Sequence, residues 1–132
     1  MWTKPIPARR LGVRAERRAA WFYRLRGYRI VARNVRTRYG ELDLIVRRGG
    51  TLVFVEVKAR QSLTAGDGLD AVTLAKQQRI ERLAAAWLVR NAHDGPCRYD
   101  VVSLQWTGWR FRVTHVPDAW QSEWEYIRGR GY

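Results

Sequence analysis

Cysteine, histidine and lysine are scarce in this chain of 132 residues, and each scarcity excludes something. Cys97 is the one cysteine, so no internal disulfide can form and a cytoplasmic setting is expected. His93 and His115 are the only histidines, too few and too scattered beside one cysteine for a structural zinc site. The longest apolar runs, Ala19–Tyr23 and Leu83–Val89, fall far short of the ~20 residues a membrane span needs, so no membrane partner is expected. The opening MWTKPIPARR is basic but has no apolar stretch or small-residue cleavage site after it, and is not read as a signal peptide. Acids are few as well: 12 against 25 Lys and Arg, for a formal net charge of +13. That imbalance favours a polyanionic partner, nucleic acid ahead of an anionic membrane, with a general arginine bias of the surface as the bland alternative. Among the basic residues only Lys4, Lys58 and Lys76 are lysine. Where arginine serves every generic need, a lysine at 58 and 76 hints at a compact ammonium.

What is present reads as one domain over residues 1–132, with 1–9 and 128–132 as loose ends; 46% apolar content supports a real core. Leu11 to Arg26 carries Leu11, Ala15, Ala19, Phe22 and Leu25 at helical spacing, and Gly27 ends it. Glu16, the only acid before Glu41, lies beside that stripe among arginines. It reads either as local charge balance or as a carboxylate aimed at the hairpin described below. Tyr28 to Val35 alternates as a strand. Arg33, Arg36 and Arg38 follow, as a solvated loop or as phosphate contacts. Gln61 to Asp70 is a polar loop placed to rim a site, and Ala71 to Asn91 is the longest helical pattern. Its basic start, with Lys76, Gln77 and Arg79, opposes the helix dipole and so welcomes an anion, unless it is simply a solvated end. Arg98 to Trp106 and Trp109 to Val116 form a hairpin across Thr107-Gly108, in which Asp100 is expected to pair with an arginine. Ala119 to Ile127 closes the chain as a short helix offering Trp120, Trp124 and Ile127 to the core. The order α-β-β-β-α-β-β-α implies an α/β fold, one mixed sheet flanked by helices.

The stretch GELDLIVRRGGTLVFVEVKAR, from Gly40 to Arg60, organises the rest. Gly49-Gly50 suits a two-residue hairpin loop. Antiparallel pairing about it sets Asp43 opposite Glu56 and Glu41 opposite Lys58, all on one face, with Leu42, Leu44, Val55 and Val57 on the other. Like charges directly across a sheet destabilise it by up to about 1 kcal/mol even when exposed, and by more when buried. Lys58, other basic side chains or a divalent cation must compensate. Two carboxylates, a main-chain carbonyl and waters form a hard-oxygen shell suited to Mg²⁺.

With GELDLI followed by FVEVKAR, the chain resembles the D…E-x-K signature of the PD-(D/E)XK nuclease superfamily, whose fold is restriction-endonuclease-like. Together with GVRAERRAAWFYRLRGYRIVARN, AVTLAKQQRI and RYDVV, these stretches resemble the bacterial YraN-like proteins, which are distantly similar to archaeal Holliday-junction resolvases. The resemblance implies that Asp43 and Glu56 ligate Mg²⁺ or Mn²⁺, with the carbonyl of Val57 as a further oxygen. It implies that Lys58 orients or activates the attacking water, and that Glu16 completes the metal shell. Gln77, with Lys76 beside it, matches the motif of the second helix that touches the site or the phosphate. Glu41 belongs to the family's GExD pattern, with no settled role.

The expected function is metal-dependent endonucleolytic hydrolysis of DNA, branched or damaged forms included. Backbone affinity would come from Arg33, Arg36, Arg38, Arg60, Lys76 and Arg79. Junction resolution would further require a two-fold homodimer. One alternative is a nucleic-acid-binding module of nuclease fold without turnover. Another is a basic adaptor for a protein or membrane in which the acids form a structural salt-bridge cluster.

Overall fold

The computed structural model describes residues 6–61 and 72–122. Helix α1 (Ala8–Arg24) forms around the buried Leu11, Ala15, Ala19 and Phe22, with Ala20 and Tyr23 also buried. It begins earlier than the spacing predicts, so Ala8 and Arg9 belong to its first turn and not to a loose arm. Pro7, with φ −55°, precedes it where a missing N–H is harmless, and its carbonyl accepts from the Leu11 N–H at 2.9 Å. Ile6 is tied down too, its carbonyl accepting from Gln61 Nε2 at 2.7 Å. At the other end Gly27 takes φ +86° and the Tyr28 N–H returns to the Tyr23 carbonyl, the left-handed stop expected of that glycine.

Five strands follow the order β1 (Arg29–Thr37), β2 (Gly40–Arg48), β3 (Thr51–Gln61), β4 (Cys97–Trp106), β5 (Phe111–Trp120), which is also their order in the sheet. Helix α2 (Leu74–Arg90) carries the chain from β3 to β4, and only that pair is parallel. A parallel pair needs such a crossover, whereas tight turns suffice elsewhere. Thr73 caps α2, its hydroxyl accepting from the Lys76 N–H at 3.2 Å. Among the described residues no helix is long and apolar enough to cross a membrane.

Alternation along the strands divides the interior in two. Val53 and Val55 of β3 and Val102 and Leu104 of β4 pack with Ala15, Ala19, Phe22 and Tyr23 of α1. Leu52 and Phe54, with Tyr99 and Val101, pack with Ile80, Leu83 and Ala84 of α2. Each helix therefore covers one face of the sheet.

Two expectations are corrected. Leu42 does not share a side with Leu44: it packs in the α2 cluster, Leu44 in the α1 cluster. The β2–β3 ladder ends at Leu44–Val55, and strict alternation lapses beyond it. Ala119 and Trp120 do not start a helix but end β5. Pro117-Asp118 forms a bulge instead of a helix start: Asp118 has φ +49°, and the pairing shifts between Tyr99–Trp120 and Val101–Val116. The gain is a Trp120 ring stacked on Tyr99 at 4.9 Å. The rest of the terminal helix, the rim loop after Gln61 and the loose end 128–132 lie outside the described residues.

Candidate metal centre

The hairpin turn carries the expected register. Arg48 faces Thr51 and the pairing runs back to Leu44–Val55, with Gly49 at φ +60°. One step further the backbone ladder gives way to a side chain: Asp43 Oδ2 accepts the Val57 N–H at 2.9 Å. This holds the Asp43 carboxylate against β3, where it also hydrogen-bonds Glu56. Two acids thus meet through their side chains, beyond the ladder: neither Asp43–Glu56 nor Glu41–Lys58 is a backbone pair, because the ladder stops at Leu44–Val55. Burial and the Glu56 charge push the Asp43 carboxyl up to about 7, with Glu16 adding to the effect and the Val57 N–H opposing it.

Glu16 reaches the same place from α1. One oxygen each from Glu16, Glu41 and Asp43 lie within 4.8 Å of one another. Burial raises the Glu16 carboxyl; a hydrogen bond from Asn34 opposes this, Glu41 adds to the rise, and Arg36 and Arg33 offset it. Asn34 was not singled out from sequence. It sits in β1 at φ +49°, a conformation that Asn tolerates better than most residues, and an Asn amid a strand pattern was the available signal.

Gly40, which opens β2 at φ +148°, sets the second helix against this centre. A Cβ there would meet Arg79 Cδ at 3.1 Å and Leu83 Cδ1 at 3.2 Å, so those side chains would have to give by a few tenths of an ångström, and the positive φ itself favours glycine. Arg79 thereby lies over the start of the Glu41–Asp43 segment. Lys76, on the same helix, forms an ion pair with the buried Glu56.

The remaining expected residues are placed as follows. Val57 contributes its N–H to Asp43 and packs at the edge of the α1 cluster. Lys58, half-buried, is two residues from Glu56 on β3 and so shares its face. Gln77 does not touch the acids; its Nε2 donates to the Val72 carbonyl at 2.9 Å and secures the start of α2. Arg36 Nε stands 3.7 Å from Glu41 Oε1, an exposed pair worth roughly 0–1 kcal/mol. Arg33 is exposed near Glu16, and Arg38 lies over the Tyr39 ring at 5.6 Å in the β1–β2 turn. Arg60 is at the far end of β3, opposite Gln105.

Glu16, Glu41 and Asp43 offer only hard oxygen donors, and Glu56 adds a fourth acid against Asp43. That donor chemistry fits a small divalent cation. Asp100 is different. It is fully buried and accepts from Tyr23 Oη at 2.8 Å, Arg98 Nε at 2.9 Å and the Asp118 N–H at 2.9 Å, with His115 Nε2 at 2.9 Å. The arginine partner expected for Asp100 is Arg98, two residues before it on the same strand.

A mixed five-stranded sheet with a helix on each face, in the order α-β-β-β-α-β-β, is consistent with a restriction-endonuclease-like fold. Within that class the chain belongs to Uncharacterised protein family UPF0102, the YraN family, whose model matches residues 15–104. Similar chains include a UPF0102 protein of Symbiobacterium thermophilum, 52% identical over 99 residues, covering 74% of this chain and 84% of the relative. A UPF0102 protein of Nocardia farcinica is 51% identical over 110 residues, covering 80% and 85%. One from Chlorobium chlorochromatii is 43% identical over 119 residues, covering 86% and 92%.

Proposed function

We propose that this protein is a metal-dependent endonuclease that hydrolyses phosphodiester bonds of DNA, including branched or damaged forms. The observation that carries the reading is the crowding of acids from two elements, Glu16 from α1 with Glu41 and Asp43 from β2, beside a buried Glu56. Such crowding costs stability and gains meaning when a cation belongs there. Asp43, Glu16 and Glu41 are the groups to hold Mg²⁺ or Mn²⁺, with Glu56 and the Val57 carbonyl adjoining. A bound ion of this kind supplies a lowered water pKa and positive charge against the phosphoryl oxygens. Lys58, on the Glu56 face, places an ammonium where negative charge develops. Lys76 holds Glu56 in position, and Gln77 fixes the turn of α2 that carries Lys76. Arg33 and Arg36, near Glu16 and Glu41, and Arg79, beside Gly40, supply sequence-independent affinity for phosphates, with Arg38 in the β1–β2 turn and Arg60 further along β3.

A second reading has one observation in its favour: Lys76 already neutralises Glu56, so one acid of the signature is engaged without any ion. On that reading the protein binds nucleic acid through this fold without turnover. A cleavage screen over linear, nicked, flapped and four-way DNA with Mn²⁺ decides between them. Cleavage by the native protein, lost in Asp43→Ala and cut about 10²–10³-fold in Lys58→Ala, supports the enzyme. Full cleavage by either folded variant rejects the site assignment, and binding without cleavage of any form supports the second reading.

A further inference from the structure

On the other side of α1 lies a groove of about 580 Å³ against the β4–β5 turn. Arg14, Arg17 and Arg18 line it from α1, and Arg110 and Arg112 from the turn and β5, with no acid among the ten lining residues. Among the described residues, none of these five arginines has a carboxylate within ion-pair distance. Two of them stand over indole faces: Arg14 is 4.8 Å from the Trp106 ring centre and Arg110 is 4.5 Å from that of Trp109. Trp109 is 69% exposed and Trp21, also in the groove, 55%. Large indoles are seldom left so open to water.

The groove thus sets arginines that have no carboxylate partner among the described residues beside two exposed indoles, Trp21 and Trp109, each with one face under an arginine, Arg24 and Arg110, and these are the two halves of one recognition chemistry. An acidic peptide would satisfy the arginines and leave the indoles wet. A duplex would offer phosphates but keep its base faces inside the stack. Unpaired nucleotides offer both, phosphates for the arginines and a base face for each of the two exposed tryptophans. We propose that this groove binds single-stranded nucleic acid by phosphate contact and base stacking. It is separate from the acid centre: at about 100° per residue, Arg17, Trp21, Arg14 and Arg18 lie about 100–160° around α1 from Glu16. The proposal therefore stands whether or not the acids support cleavage.

The test is binding in EDTA, where no cleavage can occur. A fluorescein-labelled thymidine oligomer of about 20 nucleotides is followed by anisotropy and by quenching of tryptophan emission. The expected result is quenching on binding, with the oligomer held more tightly than a duplex of equal length. Trp109→Ala weakens binding about ten-fold, and Trp21→Ala added to it weakens it further. Arg110→Gln with Arg112→Gln lowers the slope of log affinity against log salt by about 1.4, two phosphates at about 0.7 each. Arg82→Gln with Arg90→Gln, an equal loss of charge on α2 outside the groove, binds like the native protein, which separates the groove from generic surface charge. Equal affinity for duplex and single strand with no effect of the tryptophan variants overturns the proposal in favour of generic charge. Displacement of the oligomer by polyglutamate or by phosphatidylglycerol vesicles at matched charge overturns it in favour of another partner. Both tryptophans are exposed, and unchanged circular dichroism and thermal melting confirm that the variants remain folded.

Discussion

Asp100 on β4 is surrounded by donors, while Asp43 on β2, across β3 from it, is surrounded by acids. Burial alone would push both carboxyls up. At Asp100 the bonds from Arg98, His115, the Asp118 N–H and Tyr23 outweigh burial and hold the carboxyl below the usual range. At Asp43 burial is reinforced by Glu56 and Glu16, and one backbone N–H is too little to reverse it. The lesson is that a buried carboxylate declares its role by its neighbours. Asp100 is satisfied within the chain and ties α1 to both strands of the second hairpin. Asp43 is left among acids, with one backbone N–H as its donor.

The same substitution made at both positions should break this symmetry most clearly. Asp100→Asn keeps the shape but removes the charge that Arg98 and His115 face, and should cost about 3 kcal/mol in urea unfolding, the lower end for a broken buried pair because Arg98 is part-exposed. A loss below about 1 kcal/mol would mean the network is not what holds α1 to β4. Next in size is the response to metal. At a hundred-fold excess over its dissociation constant, Mn²⁺ should stabilise the native protein by about 2.7 kcal/mol and shift its melting temperature by several degrees. It should leave Asp43→Asn unmoved and Asp100→Asn shifted as much as the native protein. Metal-indifferent melting would turn the acid cluster into a structural one. Without metal, Asp43→Asn should have the opposite sign to Asp100→Asn, stabilising by up to about 1 kcal/mol, because it removes a like-charge contact while its amide can still bond Glu56.

A further effect lies in pH. Folded Asp43 keeps a proton up to about 7 that the unfolded chain releases near its ordinary value of 3.8. Unfolding between those values releases a proton, so stability of the metal-free protein falls as pH rises through that window and levels off above it. Asp100, with its carboxyl lowered, contributes in the other sense: its share is present above about 3.9 and is lost as pH falls. Asp43→Asn should flatten the slope between about 4 and 7 and leave the acid limb in place, as seen in melting temperature against pH.

Much of this contrast was legible in the sequence on one side only. Counting outward from Gly49-Gly50 gives the pairing from Arg48–Thr51 to Leu44–Val55 and so brings Asp43 and Glu56 to its end, where they meet through side chains. Glu16 could be suspected, since a lone acid among arginines beside an apolar stripe needs a reason. The choice of Lys76 for Glu56 could not be read, because it depends on how closely α2 rides on the sheet. Nor could the partners of Asp100 beyond an arginine: Tyr23 is 77 positions away and is brought there by packing of α1. The end of β5 was misread because Pro117-Asp118 serves both as a helix start and as a bulge, and only the stacking of Trp120 on Tyr99 decides. Leu42 was misread because alternation holds only as far as the ladder does.

Gly40 carries a consequence for the whole hairpin. The space of one absent methyl is the clearance on which α2 is seated, and α2 is the element that delivers Lys76 to Glu56. A methyl at that seat would meet the outer atoms of the Arg79 and Leu83 side chains, which would have to give by a few tenths of an ångström. The helix that brings Lys76 to Glu56 thus meets β2 at a residue without a side chain, in a contact that touches none of the carboxylates.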